Sequence, residues 1–262
     1  MPIIAMKYGH GKVPAAVIPE GKSYPAAMEG LTNTPDLVVT ALFAAGLFQL
    51  SWISVLLARR ALRPMVIQQA IRPLFAIWVL LWPVYTQSTW LWLAWAMAAS
   101  VLAACAIGRS PFWLALRHAW GLPPHQRGTM PEALHVLPMG HFLLAMAICL
   151  GFFVKIPEFG FGLGLALCLA IPGADTLDRL NWLPLGFPTH PEQTLAGHLL
   201  LVLISCLALS WGLHVYHDID ITAGLIATAI AGIAGSMARA TVPGAANQPA
   251  TILSMGVMLW LL

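Results

Sequence analysis

Long apolar runs separated by short polar punctuation dominate this chain. The first, residues 37–58, is stopped by Arg59, Arg60 and Arg63 before Pro64 turns the chain. At about 1.5 Å per residue it is long enough to cross an apolar layer of about 30 Å. Similar runs cover residues 66–85, 89–107, 133–154, 159–172, 194–216, 221–237 and 250–262. They are continuous rather than alternating, so helices are expected and membrane strands are not. The pattern predicts an all-α, polytopic transmembrane helix bundle of about 8 spans (7–8), and the number turns on residues 159–172 and 250–262. Each of those falls short of the roughly 17 residues that a spanning helix needs. A short amphipathic helix is also expected at 111–120, within the loop 108–132.

Composition agrees with the pattern and excludes the soluble classes. Hydrophobic residues make up 59% of the 262 positions and charged ones 9%, with a mean hydropathy of +0.80. A soluble domain carries about 25% charge, so a soluble enzyme, a disordered chain and a disulfide scaffold are all ruled out. Cys105, Cys149, Cys168 and Cys206 stand singly inside apolar runs, which suits buried small hydrophobes rather than a thiolate metal site.

Charge placement adds sidedness. Every Arg (59, 60, 63, 72, 109, 117, 127, 179 and 239) lies in or beside an expected loop. With eight spans, the loops 59–72, 108–132, 173–193 and 238–249 share one side. The excess of positive charge makes that side cytoplasmic and leaves both termini outside. Residues 1–35, broken by Pro and mixing Lys with Glu, read as an extended extramembrane arm, with a disordered tail as the alternative, and 36–262 as the transmembrane domain. Trp90, Trp92 and Trp95 suit an interfacial aromatic belt. The small-residue series Ala223, Gly224, Ala227, Ala231, Gly232, Ala234 and Gly235 suits close helix packing.

The strongest polar concentration is the expected loop 173–193 and the helix entrance after it. Asp175 and Asp178 lie three apart, on one face if helical, a spacing suited to Mg²⁺ shared with phosphate. Thr189, Thr194 and the first N–H groups of the next helix form a candidate anion site, and ordinary helix capping is the alternative. A second cluster, His214, His217 and Asp218, offers two imidazoles and a carboxylate to a metal. His135, His141 and His198 raise the further option of axial ligation of haem or a chlorin pigment. A transporter is less favoured, because no acidic residue falls in the middle of a span.

Gly173-Ala174-Asp175-Thr176, the turn at Gly186 and Pro191-Glu192-Gln193-Thr194-Leu195-Ala196-Gly197 resemble the cytidine-nucleotide loop of the dolichol/phytol kinase and phosphatidate cytidylyltransferase group. The small-residue run ending at Arg239, with Ala246-Asn247-Gln248-Pro249 after it, resembles the closing segment of the kinases. The likeness covers about residues 165–262. It implies a CTP- and Mg²⁺-dependent transfer to a lipid or prenyl alcohol. Asp175, Asp178 and Arg179 would then be catalytic, and Thr189, Thr194, Gly197, Arg239 and Asn247 would bind the nucleotide.

Ala174 stands where the group has Gly before Asp, and Pro249 follows Asn247 at a shorter spacing; the other departures fall on charged positions. Gln193 stands where the group has its nucleotide-binding Lys, and Ala196 stands for Glu. Ala246 replaces the acid before Asn, and the acid of the small-residue helix falls at Gly235 or Ser236. Phosphoryl transfer depends on positioning and charge neutralisation, so these losses favour a degenerate, non-catalytic subunit of a larger membrane assembly over an active enzyme. Its expected partners are the bilayer and other membrane subunits, reached through the arm and the Trp-rich helices; nucleic acid is not among them.

Overall fold

Eleven α-helices and several tighter turns account for the described residues of the computed structural model, which are 34–122, 128, 130–184, 190–217 and 221–262. No strand occurs among them. Pro35–Leu262 is one compact unit, and the arm expected over 1–35 lies almost wholly outside the described residues. Seven helical segments are long and apolar enough to cross a membrane: Pro35–Arg59, Pro64–Val84, Ser88–Ile107, Glu132–Lys155, Pro157–Arg179, Leu195–His217 and Gly224–Thr241. This architecture is compatible with a multi-pass membrane protein.

The first helix, α1 (Thr34–Arg59), has Asp36 in its first turn and Arg59 in its last, a pairing that suits the helix dipole. Asp36 is fully buried and reaches the turn before α4 (Ser88–Ile107). Its carboxylate accepts bonds from Thr86 N (2.8 Å), Thr86 Oγ1 (2.8 Å) and Gln87 N (3.2 Å). The second span is α2 (Pro64–Ile71), a 3₁₀ turn at Arg72–Leu74, then α3 (Phe75–Leu80). Pro73 cannot donate an N–H, which accounts for the break and leaves Arg72 at the bend.

After α4 comes α5 (Pro111–Trp120), the short helix expected there, with Arg117 buried inside it. Arg117 donates to the carbonyls of Cys105 (3.0 Å) and Gly108 (2.6 Å) and pairs with Glu132 (2.9 Å). It therefore satisfies the last carbonyls of α4, a role in addition to any in sidedness. α6 (Leu137–Lys155) follows.

The fifth span corrects the sequence expectation. Pro172 does not end it: α7 (Pro157–Leu165), a π turn (Ala166–Ala170) and α8 (Ile171–Arg179) run as one helical segment of 23 residues. Pro172 has no N–H and its ring crowds the carbonyl four residues back. That carbonyl belongs to Cys168, inside the π turn, where the wider winding makes room. The segment 173–179 is therefore helix rather than loop. Its Gly-rich first half is explained by contact: a Cβ on Gly162 would stand 2.8 Å from Leu209 Cα in the neighbouring helix.

α9 (Leu195–His217) and α10 (Ile221–Thr241) complete the long helices. α11 (Asn247–Leu261) is the eighth apolar helix, but at 15 residues it remains too short to span by itself. It packs on α10 and α6, while α7 packs on α6 and α9. Glycines of α10 sit at its contacts with α9 and α11, Gly232 against Val202 and Gly235 against Met255. All four cysteines are buried and unpaired. The outward faces carry large apolar side chains such as Leu42, Phe48, Trp52, Ile226 and Trp260, as contact with lipid tails requires.

Candidate functional site

The ends of α8 and α10 meet the beginnings of α2, α9 and α11 at one end of the bundle, and the polar side chains of the chain concentrate there. Arg239, 3% exposed, comes from the last turns of α10. Its Nη2 donates to Asp175 Oδ1 (2.6 Å) and to Asp178 Oδ2 (2.7 Å). The other oxygen of Asp178 accepts from Thr194 N (2.8 Å) and Thr194 Oγ1 (2.9 Å). Thr194 Oγ1 in turn accepts from Gly197 N at 3.1 Å, so Thr194 caps α9 in the usual manner. A carboxylate at a helix N-terminus is favoured by the dipole. Asp178 therefore joins α8, α9 and α10 through one charged group.

A second layer supports the first. Gln193 Nε2 donates to the Arg239 carbonyl (3.2 Å), and Gln193 Oε1 lies 3.0 Å from His198 Nε2. His198 Nδ1 lies 2.7 Å from Ser236 Oγ. His190 Nε2 meets the Val242 carbonyl at 2.8 Å, and Nδ1 lies 3.1 Å from Glu192. Arg179 donates to Gln69 Oε1 at 2.7 Å.

Two adjoining cavities open beside this network. The larger, about 910 Å³, is lined by Arg63, Arg179, Arg239, Asp175, Asp178 and Asn247, among others. The smaller, about 370 Å³, is lined by Gln68, Gln69, Arg72 and Gln248 and shares Met65, Asp175, Arg179, Glu192 and Asn247 with the first. Four guanidinium groups thus face three carboxylates. Met65 and Glu192, both exposed, form the rim.

The structure brings Asp175, Asp178, Arg179, Thr194, Arg239 and Asn247 together from separate parts of the sequence. Gly197 is present for close packing, since a Cβ there would overlap Asp178 Oδ1. Thr189 lies outside the described residues. These residues do not fit magnesium in this arrangement. Arg239 takes the place between the two carboxylates that a divalent cation would need, and both oxygens of Asp178 are already committed. Mg²⁺ requires near-octahedral oxygen coordination, and only Asp175 Oδ2 has no assigned partner here.

Of the histidine alternatives, His135, His141, His198 and His217 each have a ring nitrogen engaged. His217 Nε2 pairs with Glu158 Oε1 at 2.8 Å, and Asp218 lies outside the described residues. His214 and His217 stand near one end of α9 with no third ligand described. Among the described residues no group of three or more His, Cys, Asp or Glu is placed to hold a metal ion. Both nitrogens of His198 are hydrogen-bonded, while His141 Nδ1 lies 2.8 Å from the Leu137 carbonyl and His135 Nε2 3.2 Å from that of Met130.

Sequence reading gave no site role to Gln68, Gln69, Arg72 and Gln248. Arg72 carried a usable signal, because an ionisable residue inside an apolar span is itself a functional hint. Its place near the start of the second run read instead as a loop charge. Comparison with family models, with curated proteins and with solved structures finds no match to this chain.

Proposed function

We propose that this chain is a non-catalytic, multi-pass membrane protein, a degenerate relative of the dolichol/phytol kinase and cytidylyltransferase group, serving as a subunit of a larger membrane assembly. The observation that carries this reading is Arg239. Its guanidinium bridges Asp175 and Asp178 at 2.6 and 2.7 Å, so a cation from within the chain already occupies the two acids that would hold Mg²⁺. Gln193, at the group's cation position, is used up by His198 and the Arg239 carbonyl. Ala196 and Ala246 supply no replacement acid. Such a cluster fastens helices; it does not activate a phosphate.

Its place in the membrane follows from charge. The Arg-bearing loops 59–72, 108–132 and 238–249, with the polar segment that begins at the end of α8, face the cytoplasm, and the N-terminus lies outside; the C-terminus joins it there when α11 crosses as an eighth span. The Trp-bearing outer helices and the arm over 1–35 are the surfaces offered to other subunits.

The active reading, a CTP- and Mg²⁺-dependent lipid-alcohol kinase or cytidylyltransferase, keeps one supporting observation. The larger cavity has room for a polar ligand and is lined by Asp175, Asp178, Arg179, Arg239 and Asn247. It requires Arg239 to leave the carboxylates. Calorimetric titration of Mg·CTP into the purified protein separates the two readings. No saturable heat is expected up to millimolar nucleotide. Saturable, Mg²⁺-dependent binding that Asp175→Ala abolishes would establish the enzyme reading instead.

A further inference from the structure

Arg72 stands out from the other buried cations. It is 4% exposed, at the bend between α2 and α3, and forms no ion pair among the described residues. Its Nη2 is spent on Gln68 Oε1 (3.0 Å) and the Pro138 carbonyl (3.3 Å), and its Cζ lies 5.7 Å from the centre of the Phe142 ring. Its Nε has no hydrogen-bond partner. Asp175 attracts it from the same cavity wall without forming an ion pair; a buried guanidinium with no directly paired anion is costly, and Asp175 and Phe142 offset only part of that cost.

Two neighbours on the wall of the smaller cavity are in the same condition. Gln69 Nε2 is a donor without an acceptor, and Gln248 Oε1 is an acceptor without a donor. Gln68 and Gln69 are held by their other atoms: Gln68 Nε2 donates to the Gly121 carbonyl at 2.9 Å, and Gln69 Oε1 accepts from Arg179. The three residues that carry these unpartnered atoms, Arg72, Gln69 and Gln248, all line one cavity of about 370 Å³. Of the carboxylates on its wall, Asp175 is bonded to Arg239 and Glu192 to His190.

We propose that the smaller cavity binds a phosphate-type anion that carries a neighbouring hydroxyl, as in a glycerophosphate group. Arg72 Nε and Gln69 Nε2 donate to the anion, and Gln248 Oε1 accepts from the hydroxyl. Charge-assisted bonds of this kind are the strong ones, and a site with an unpaired acceptor selects ligands that bring a donor. The group has two possible sources, a free glycerophosphate or the headgroup of an anionic glycerolipid. The site uses neither the Asp175–Asp178 pair as a metal holder nor a nucleotide, so it stands apart from the reading above.

The full chain, purified in a neutral detergent with EDTA and no nucleotide, is titrated with sn-glycerol 1-phosphate and with inorganic phosphate, and its melting is followed by Trp fluorescence. It is also reconstituted into phosphatidylcholine nanodiscs with and without phosphatidylglycerol, and retained lipid is read by native mass spectrometry. A rise of several degrees in melting temperature with glycerol phosphate is expected, or retention of phosphatidylglycerol, or both. The first alone assigns the free ligand and the second alone the headgroup. Arg72→Met is expected to weaken binding about tenfold or more, and Gln248→Met to remove the preference over inorganic phosphate.

Should Arg72→Met fail to fold, Gln248→Met and Gln69→Met decide the matter by the same readouts. The proposal is overturned if neither probe shifts or is retained by the wild type. It is equally overturned if binding is indifferent to all the folded variants, or if inorganic phosphate binds as well as glycerol phosphate and Gln248→Met changes nothing.

Discussion

Arg239→Met should destabilise the helical domain by roughly 3–5 kcal/mol, the usual consequence of removing one partner from a buried charged cluster. Asp178, almost fully buried, would lose its Oδ2 partner, and Asp175 would lose the 2.6 Å bond that holds it beside a second carboxylate. The same rule predicts the rescue. Removing all three charges together, with Asp175→Asn and Asp178→Asn added to Arg239→Met, should recover most of the loss, because no uncompensated charge then remains buried. Asparagine at 178 keeps an oxygen to accept from Thr194, so the cap on α9 survives in the triple variant. Reversible unfolding of the detergent-solubilised protein in a mixed-micelle titration measures each step. A single variant within about 0.5 kcal/mol of wild type would mean that the cluster does not hold the helices together.

Part of this cluster is readable from the sequence. The spacing of Asp175 and Asp178 places them on one face of a helix, and both reach the same guanidinium. Thr194 stands before an apolar run, where a cap belongs. What local spacing does not contain is the partner. Arg239 meets Asp178 across 61 residues of chain, a distance that only helix packing closes. Resemblance drew attention to positions where the sequence departs from the kinase group's acids and cation. It did not show that Arg239 pairs with both Asp175 and Asp178, nor that Ser236 meets His198. Pro172 misled for a related reason. Proline ends many helices, but a π turn ending two residues earlier lets this one continue, and no pattern of apolar residues marks a π turn. Arg117 shows the limit of the charge rule: loop placement suggests topology, while its buried guanidinium also closes the end of α4.

Gly197→Ala carries the second large effect, and it separates the two reasons a glycine can stand at that position. In a nucleotide loop the missing side chain lets backbone approach a phosphate. Here a Cβ would overlap Asp178 Oδ1 and stand 3.1 Å from the Ala174 carbonyl. The added methyl group must push α8 from α9 or drive Asp178 off Thr194, which breaks the cap and disturbs Arg239 together. Overpacking of this kind costs about 1–3 kcal/mol, and losing the Thr194 bonds adds to it. Against this stands the gain of up to about 1 kcal/mol from replacing Gly in a helix. A net loss of about 2–3 kcal/mol follows from these terms. Gly46→Ala is the control, because nothing lies within 4 Å of its Cβ position, and only the helix gain remains. The decisive comparison places Gly197→Ala in an Asp178→Ala background. With the carboxylate gone the methyl group has most of its space, so the substitution should cost under 1 kcal/mol there, a coupling of neighbouring sites. An equal cost in both backgrounds would place the conflict at the Ala174 carbonyl and separate Gly197 from the ion cluster.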